Sequence, residues 1–318
     1  MPQISTESFV SRRLRFRDLQ VFHAVVESGS MGKAAAQLGM TQPSVSELIS
    51  GLESTFGARL FDRTTQGVEP TIYGRALLKR AVASLDELKQ GLRDLEYLAN
   101  PMVGEIRIGC PDSIAATILP NMIADFCRDY PRITLRFDQV PTPTLEVPTL
   151  RARQLDAVIS WLSIPKDQFG EGLDVEVLFN DQVVIAAGRN SQWARRRRKL
   201  SIADLVDAPW TAAPPETMAR IIVDRAFQAA GLPPPTLSVT TFSVPLRQHL
   251  LTSADFLTAI PRSLLLRSTD LKELPIGLPS HSYPVALVTV RNRTLSPVVE
   301  LFLERVRRFT KSATNGIR

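Results

Sequence analysis

Residues 30–61, SMGKAAAQLGMTQPSVSELISGLESTFGARLF, constrain the fold of this chain more than any other stretch, because they specify two short amphipathic helices and the turn between them. Ser30 stands where a first helix needs its N-cap, Ala34, Ala35 and Leu38 form a face small enough for close approach, and Gly39 suits the left-handed residue that ends such a helix. Thr41 repeats the capping role for a second helix. Pro43 falls in its first turn, where a missing N–H costs nothing, and Val45, Leu48, Ile49 and Leu52 recur at a helical interval. Gln42, Ser44, Ser46 and Glu47 are left on the outward side. An ordinary helical hairpin inside a larger core uses similar letters, but two flanking features favour a helix-turn-helix, which places its second helix in the major groove of DNA. Leu19, Phe22, Val25 and Val26 mark an earlier helix with its own apolar face, and residues 59–68 read as a short hairpin wing.

Charge alone does not locate a nucleic-acid site. The net charge is +6, yet residues 1–100 hold 12 basic and 11 acidic groups, and the surplus of residues 101–318 equals the single run from Arg195 to Lys199. That run reads as a solvated loop. Placement is more informative: Arg12, Arg13, Arg15 and Arg17 precede the first helix, and Arg59, Arg63 and Arg75 surround the wing, where phosphates would lie.

Thr71 can cap a long helix whose apolar residues, Leu78, Ala81, Leu85, Leu88, Leu92 and Leu95, alternate steps of three and four. Charged neighbours occupy its other faces, so the stripe fits a heptad seam that pairs with a second copy. Asn100, Pro101 and Gly104 then break the helix. Beyond them strands and helices alternate: strands at 105–109, 133–137, 157–161 and 285–290, helices at 114–130, 144–154, 218–231 and 297–309, a helical piece at 201–206, and a second unit beginning near 175–187. Alternation of this kind implies parallel sheets with crossover helices, whose ligands bind beyond the carboxyl ends of the strands. The candidates there are Asp112 and Ser113, Thr142 and Thr144, Ser160, Trp161 and Ser163, with Thr211 from the second unit; Ser113 near a helix start favours an anionic ligand.

The pattern AA..L..TQPSVS..I..LE..FG..LF.R with the following PTIYG resembles the N-terminal domain of LysR-type transcriptional regulators, and the later order of elements, with echoes such as LRARQLDAVIS and ADFLTAIPRSLL, is similar to their effector domain. The resemblance implies an α plus α/β architecture: a winged helix-turn-helix over 1–72, a linker and dimerisation helix over 73–100, and a two-lobed, periplasmic-binding-protein-like (type 2) effector domain over 101–318. Lobe I would take about 103–162 and 270–310, and lobe II about 163–269. It implies DNA contacts from Gln42, Pro43, Ser44, Ser46, Glu47, Arg59, Arg63, Thr65 and Gln66, reading an inverted repeat as a homodimer or homotetramer. The resemblance also implies RNA polymerase as a further partner, and a small-molecule effector in place of a cofactor. Four positions depart from frequent family choices: Glu47 and Gln66 in the DNA-reading region, and Ala254 and Phe256 where glycines are common.

An enzyme or a solute-binding protein is the rival reading of a two-lobed α/β chain. His23, His249 and His281 lack metal-ligand spacing, and no G-x-S-x-G elbow or phosphate-binding glycine loop is present. The N-terminus lacks an apolar export signal and no apolar run approaches the roughly 18 residues that span a bilayer, so the cytoplasm is the expected address. Cys110 and Cys127 are expected as separate reduced thiols, with a redox sensor as the alternative.

Overall fold

The computed structural model describes residues 14–64, 67–100, 102–117, 119–140, 147–162, 172–196, 200–278 and 283–314, and the chain divides into two compact units, 1–93 and 94–318. In the first unit, helices α1 (Phe16–Ser28), α2 (Met31–Leu38) and α3 (Gln42–Phe56) are followed by the hairpin β1 (Phe61–Thr64) and β2 (Gly67–Pro70), and by α4 (Ile72–Ala99), which runs on into the second unit. Each short helix ends on a left-handed glycine, Gly29, Gly39 and Gly57, at φ 62°, 63° and 65°. The caps expected from sequence are present: Ser30 Oγ accepts from Lys33 N at 3.4 Å and Thr41 Oγ1 from Ser44 N at 3.4 Å. The core comprises Phe22, Val25, Ala34, Val45, Ile49 and Phe61, joined by Ala81 of α4.

The wing is fixed by close backbone approach. Val68 N donates to Gly29 O at 2.9 Å, and Thr71 Oγ1 both accepts from Gly74 N at 3.1 Å and donates to Arg59 O at 2.7 Å. A Cβ on Gly74 would stand 2.2 Å from Leu60 O, so only glycine lets α4 cross the strand there.

The second unit holds two five-stranded sheets. Its elements are β3 (Gly104–Cys110), α5 (Asp112–Ala115), α6 (Leu119–Asp129), β4 (Ile133–Gln139), α7 (Pro148–Arg151), β5 (Ala157–Trp161), β6 (Leu173–Asp181), β7 (Val183–Gly188), α8 (Gln192–Arg195), a 3-10 turn (Ile202–Leu205), β8 (Trp210–Ala212), α9 (Met218–Ala229), β9 (Leu237–Thr240), α10 (Val244–Ser253), β10 (Leu257–Pro261), α11 (Arg262–Leu265), β11 (Leu271–Glu273), β12 (Tyr283–Val290) and α12 (Pro297–Thr314). Sheet I runs β4-β3-β5-β12-β6 and sheet II runs β11-β7-β10-β8-β9. Within sheet I, β3 is parallel to β4 and β5 while β12 is antiparallel to β5 and β6; α6 and α12 cover one face, with Phe126 set edge-on to Phe302 at 5.2 Å. In sheet II, Trp210 meets Phe227 edge-on at 5.9 Å.

Several expectations are corrected. The helix expected over 114–130 is two helices, because Pro120 has no N–H to offer the carbonyl of residue 116. Of the helix expected over 144–154 only α7 is present, residues 141–146 lying outside the described ones. The segment 175–187 is divided: β6 belongs to sheet I and β7 to sheet II, with Gln182 alone between them. Because β6 pairs along its length with β12 and β11 pairs with β7, the chain passes between sheets at Gln182 and returns between β11 and β12, rather than near 163 and 270.

A buried ion pair closes the far end of sheet I. Arg293 Nη2 lies 3.2 Å from Asp156 Oδ1, both about fully buried, and Arg293 Nη1 donates to Leu155 O at 2.6 Å while Asp156 Oδ2 accepts from Arg107 N at 2.9 Å.

Two glycines of one helix give opposite expectations. Gly74→Ala forces its methyl onto Leu60 O and should cost about 2 kcal/mol or more, whereas Gly91, with no atom within 4 Å of an added Cβ, should stabilise α4 by up to about 1 kcal/mol on change to Ala. Native-state amide exchange across the first unit reads both, and equal protection in the two variants would contradict the close approach.

Candidate DNA-reading surface and ligand cleft

In the first unit, the N-terminal half of α3 turns its polar residues outward. Gln42, Pro43 and Glu47 are exposed and Ser44 and Ser46 half-buried, while Val45, Ile49 and Leu52 enter the core. Thr41 Oγ1 and Ser44 Oγ are hydrogen-bonded at 2.8 Å, which leaves Gln42 and Ser46 as the neutral polar groups most able to reach a base edge. Residues 42–56 contain no cation and two acids. The exposed cations nearby lie on neighbouring elements: Arg15 and Arg17 at the start of α1, Lys33 on α2, and Arg59 and Arg75 beside the wing. Arg75 Nη1 donates to Pro70 O at 2.6 Å, which holds it against the hairpin.

Arg63 lies in β1, with its side chain outside the described atoms; Arg12, Arg13, Thr65 and Gln66 lie outside the described residues. Sequence reasoning missed Glu53. Its Oε1 accepts from Leu60 N at 2.8 Å and from Phe61 N at 3.2 Å, tying the end of α3 to the entry of the wing. The clue was an acid at the C-terminal half of a helix, where it opposes the helix dipole and needs local donors.

The expected seam on α4 is used in two ways. Leu78, Ala81 and Leu85 face inward, Ala81 and Leu78 joining the first unit's core. Leu88, Leu92 and Leu95 are 52%, 57% and 63% exposed, and Leu98 extends the stripe at 75%.

In the second unit, a cleft opens where strands of the two sheets end. One side is built by residues at or just past the ends of β3, β4 and β5, among them Asp112, Ser113 and Trp161; the other by Thr217 and Met218 at the start of α9 and by Phe242 and Arg247 around α10. Asp112 Oδ2 accepts from Val244 N at 3.0 Å, so a carboxylate of the first lobe caps a helix of the second. The anion-favouring helix start expected at Ser113 is corrected: α5 is only four residues long and carries Asp112 in its own first turn.

Of the other expected ligand contacts, Ser160 and Thr211 are buried with unpartnered hydroxyls and do not line this cleft, and Thr142, Thr144 and Ser163 lie outside the described residues. Arg247, Thr217 and Phe242 were missed. Arg247 had a readable signal, since it stands on the inward stripe of α10 between Val244 and Leu251.

Within the basic run, Arg195 ends α8 and Arg196 stacks its guanidinium 4.6 Å from the Trp193 ring centre; 197–199 lie outside the described residues. Among the described residues there is no group of three His, Cys, Asp or Glu suited to a metal ion, and no helix long and apolar enough to cross a membrane.

Cys110 is buried and Cys127 exposed. Burial, and secondarily the charge of Asp112, pushes the Cys110 thiol up to about 12, so it stays protonated at neutral pH. Iodoacetamide at pH 8 should therefore label Cys127 alone in the folded protein, as read by peptide mass spectrometry. Labelling of Cys110 at a similar rate would contradict that assignment.

Comparison with known proteins agrees with this geometry. Residues 16–75 match the family model for the bacterial regulatory helix-turn-helix protein of the lysR family, and residues 99–311 match the LysR substrate binding domain. Among curated relatives, the uncharacterized HTH-type transcriptional regulator YdcI of Escherichia coli is 27% identical over 304 residues, 95% of this chain and 97% of the relative. The HTH-type transcriptional regulator GbpR of Azospirillum brasilense is 29% identical over 305 residues, 94% of this chain and 87% of the relative. The same fold is found in the crystal structure of full-length CbnR complexed with target DNA, with TM-score 0.59 and 23% identity over 93% of this chain and 100% of that one. It is found again in a full-length OxyR of Pseudomonas aeruginosa, with TM-score 0.63 and 17% identity over 94% and 95% of the two chains. With more than half its length in one family model and its N-terminal unit in another, the chain belongs to the LysR family of DNA-binding transcriptional regulators, carrying a helix-turn-helix and an effector-binding domain.

Proposed function

We propose that two copies of this chain read an inverted-repeat promoter site, and that a small molecule held in the cleft of the second unit sets how they do so. The observation that carries the DNA half is the outward polar face of α3, Gln42 to Glu47, flanked by the exposed cations Arg15, Arg17, Lys33, Arg59 and Arg75. Glu47 is placed to accept from a cytosine amino group, and Gln42 to pair with adenine. Arg63, Thr65 and Gln66 extend the contact along the wing.

The exposed stripe of Leu88, Leu92, Leu95 and Leu98 supports pairing through α4, since four large apolar side chains on one helix face are costly to leave in water. Pairing puts two recognition helices about one two-fold axis, and the family resemblance extends it to a dimer of dimers with RNA polymerase as a further partner. The protein acts in the cytoplasm, and its effector is bound rather than transformed. CbnR, a relative by fold, is crystallised with its target DNA, which favours the same mode of action here.

Fluorescence anisotropy on a duplex selected from random sequence tests this reading. Arg59→Ala should weaken binding to all sequences about equally and reduce the salt slope by about 1, as the loss of one phosphate contact does. Gln42→Ala should cost about 1–3 kcal/mol on the selected duplex and little on random DNA. Unchanged affinity and salt dependence in both variants would contradict the docking of α3.

A further inference from the structure

The cleft holds a cation with no ion-pair partner among the described residues. Arg247 is 5% exposed, on the inward side of α10, and lines the cleft. Its Nε has no hydrogen-bond partner, and no ion pair joins its guanidinium to a carboxylate among the described residues. Among the described residues the other buried arginine, Arg293, is by contrast paired with Asp156 and bonded to Leu155 O. Burial lowers the pKa of Arg247 from the ordinary guanidinium value, and the charge of Asp112 only partly offsets this. Asp112 is engaged elsewhere, accepting from Val244 N, and Ser243 Oγ accepts from Leu246 N at 3.3 Å, so the first turn of α10 is already served by protein groups.

A desolvated, unpaired guanidinium facing a cavity is strongly disfavoured unless an anion completes it. The walls beside Arg247 include the apolar Val140, Trp161, Met218 and Phe242, which suit a ligand with an apolar body better than an inorganic oxyanion. The negative charge of Asp112 close by disfavours a second negative charge on the ligand. We infer that the cleft takes a small organic monocarboxylate, with Arg247 as the residue that pairs with its carboxylate. This rests on the reading of the cleft as the effector site. Arg247 comes from the lobe of sheet II and Trp161 from that of sheet I, so one such ligand touches both lobes.

The test uses the full chain and a panel of monocarboxylates, acetate to decanoate and benzoate to naphthoate, alongside the matching primary amides, inorganic phosphate and sulfate. Tryptophan fluorescence and thermal shift provide the readouts. At least one acid should bind saturably, with its amide about 100-fold weaker, and phosphate and sulfate should give no saturable response. Arg247→Met should lose about 100-fold in affinity for that acid and Arg247→Lys less. The ligand-free melting temperature of Arg247→Met should equal or exceed that of the parent, because an unpaired buried charge has been removed; a merely structural arginine would lower it. If the Met variant does not fold, the acid-to-amide ratio in the parent protein and the Lys variant still decide. The inference is overturned if no acid binds saturably, if amide and acid bind alike, if a free inorganic anion binds best, or if Arg247→Met keeps its affinity. If an acid binds through Arg247 but leaves DNA affinity and footprint unchanged, this inference stands and effector control of DNA binding fails.

Discussion

A single carboxylate fixes the geometry on which DNA reading depends. Glu53, near the end of α3, accepts hydrogen bonds from the backbone N–H groups of Leu60 and Phe61, and so makes the recognition helix and the wing one body. Charge-assisted bonds of this kind are about twice as strong as neutral ones. They act together with two close backbone approaches, Gly74 against Leu60 O and Gly67 against Gly29 O, which admit no side chain. The result is that Arg59 and Arg75 stand at a set distance from Gln42 and Ser46. Without that constraint the cations would still be present, but they would not define a register on the phosphate backbone.

The second unit obeys a different constraint, the passage of the chain between two sheets. Gln182 alone separates β6 from β7. Asp181 at this point is buried, which raises its pKa, and its Oδ1 accepts from Gln182 N and Ser263 N at 2.7 and 3.3 Å. The cleft lies where strands of both sheets end, so any molecule in it contacts both lobes. The one polar bridge across it noted above, Asp112 to Val244 N, is made by a group that also neighbours Arg247. A ligand that engages Arg247 therefore acts beside one of the bonds that join the two lobes.

What was legible in the sequence was local. Ser30 and Thr41 as caps, Gly39 as a left-handed terminator, Pro43 in a first turn and the inward stripe of α3 are decided by near neighbours, and each stands where the pattern puts it. What was illegible depends on partners far away in the chain. Nothing in residues 173–181 states that they pair with 283–290 rather than with the sheet that begins two residues later. Glu53 reads as one more surface acid until Leu60 and Phe61 are brought to it. Ser160 and Thr211 stand within strands that are buried along their whole length, so neither hydroxyl reaches the cleft. The seam on α4 was legible as a stripe, but its division into an inward half and an exposed half was set by where the first unit's core ends.

The proposed function makes α3 the element that reaches the bases, once from each of two copies. A photoreactive side chain introduced at position 46 tests that most directly, with the full-length protein bound to a duplex selected for tight binding. The account predicts crosslinks to bases exposed in the major groove of both half-sites, about one helical turn apart. Crosslinks confined to protein, or to the sugar-phosphate backbone with no base adduct in either half-site, would contradict it.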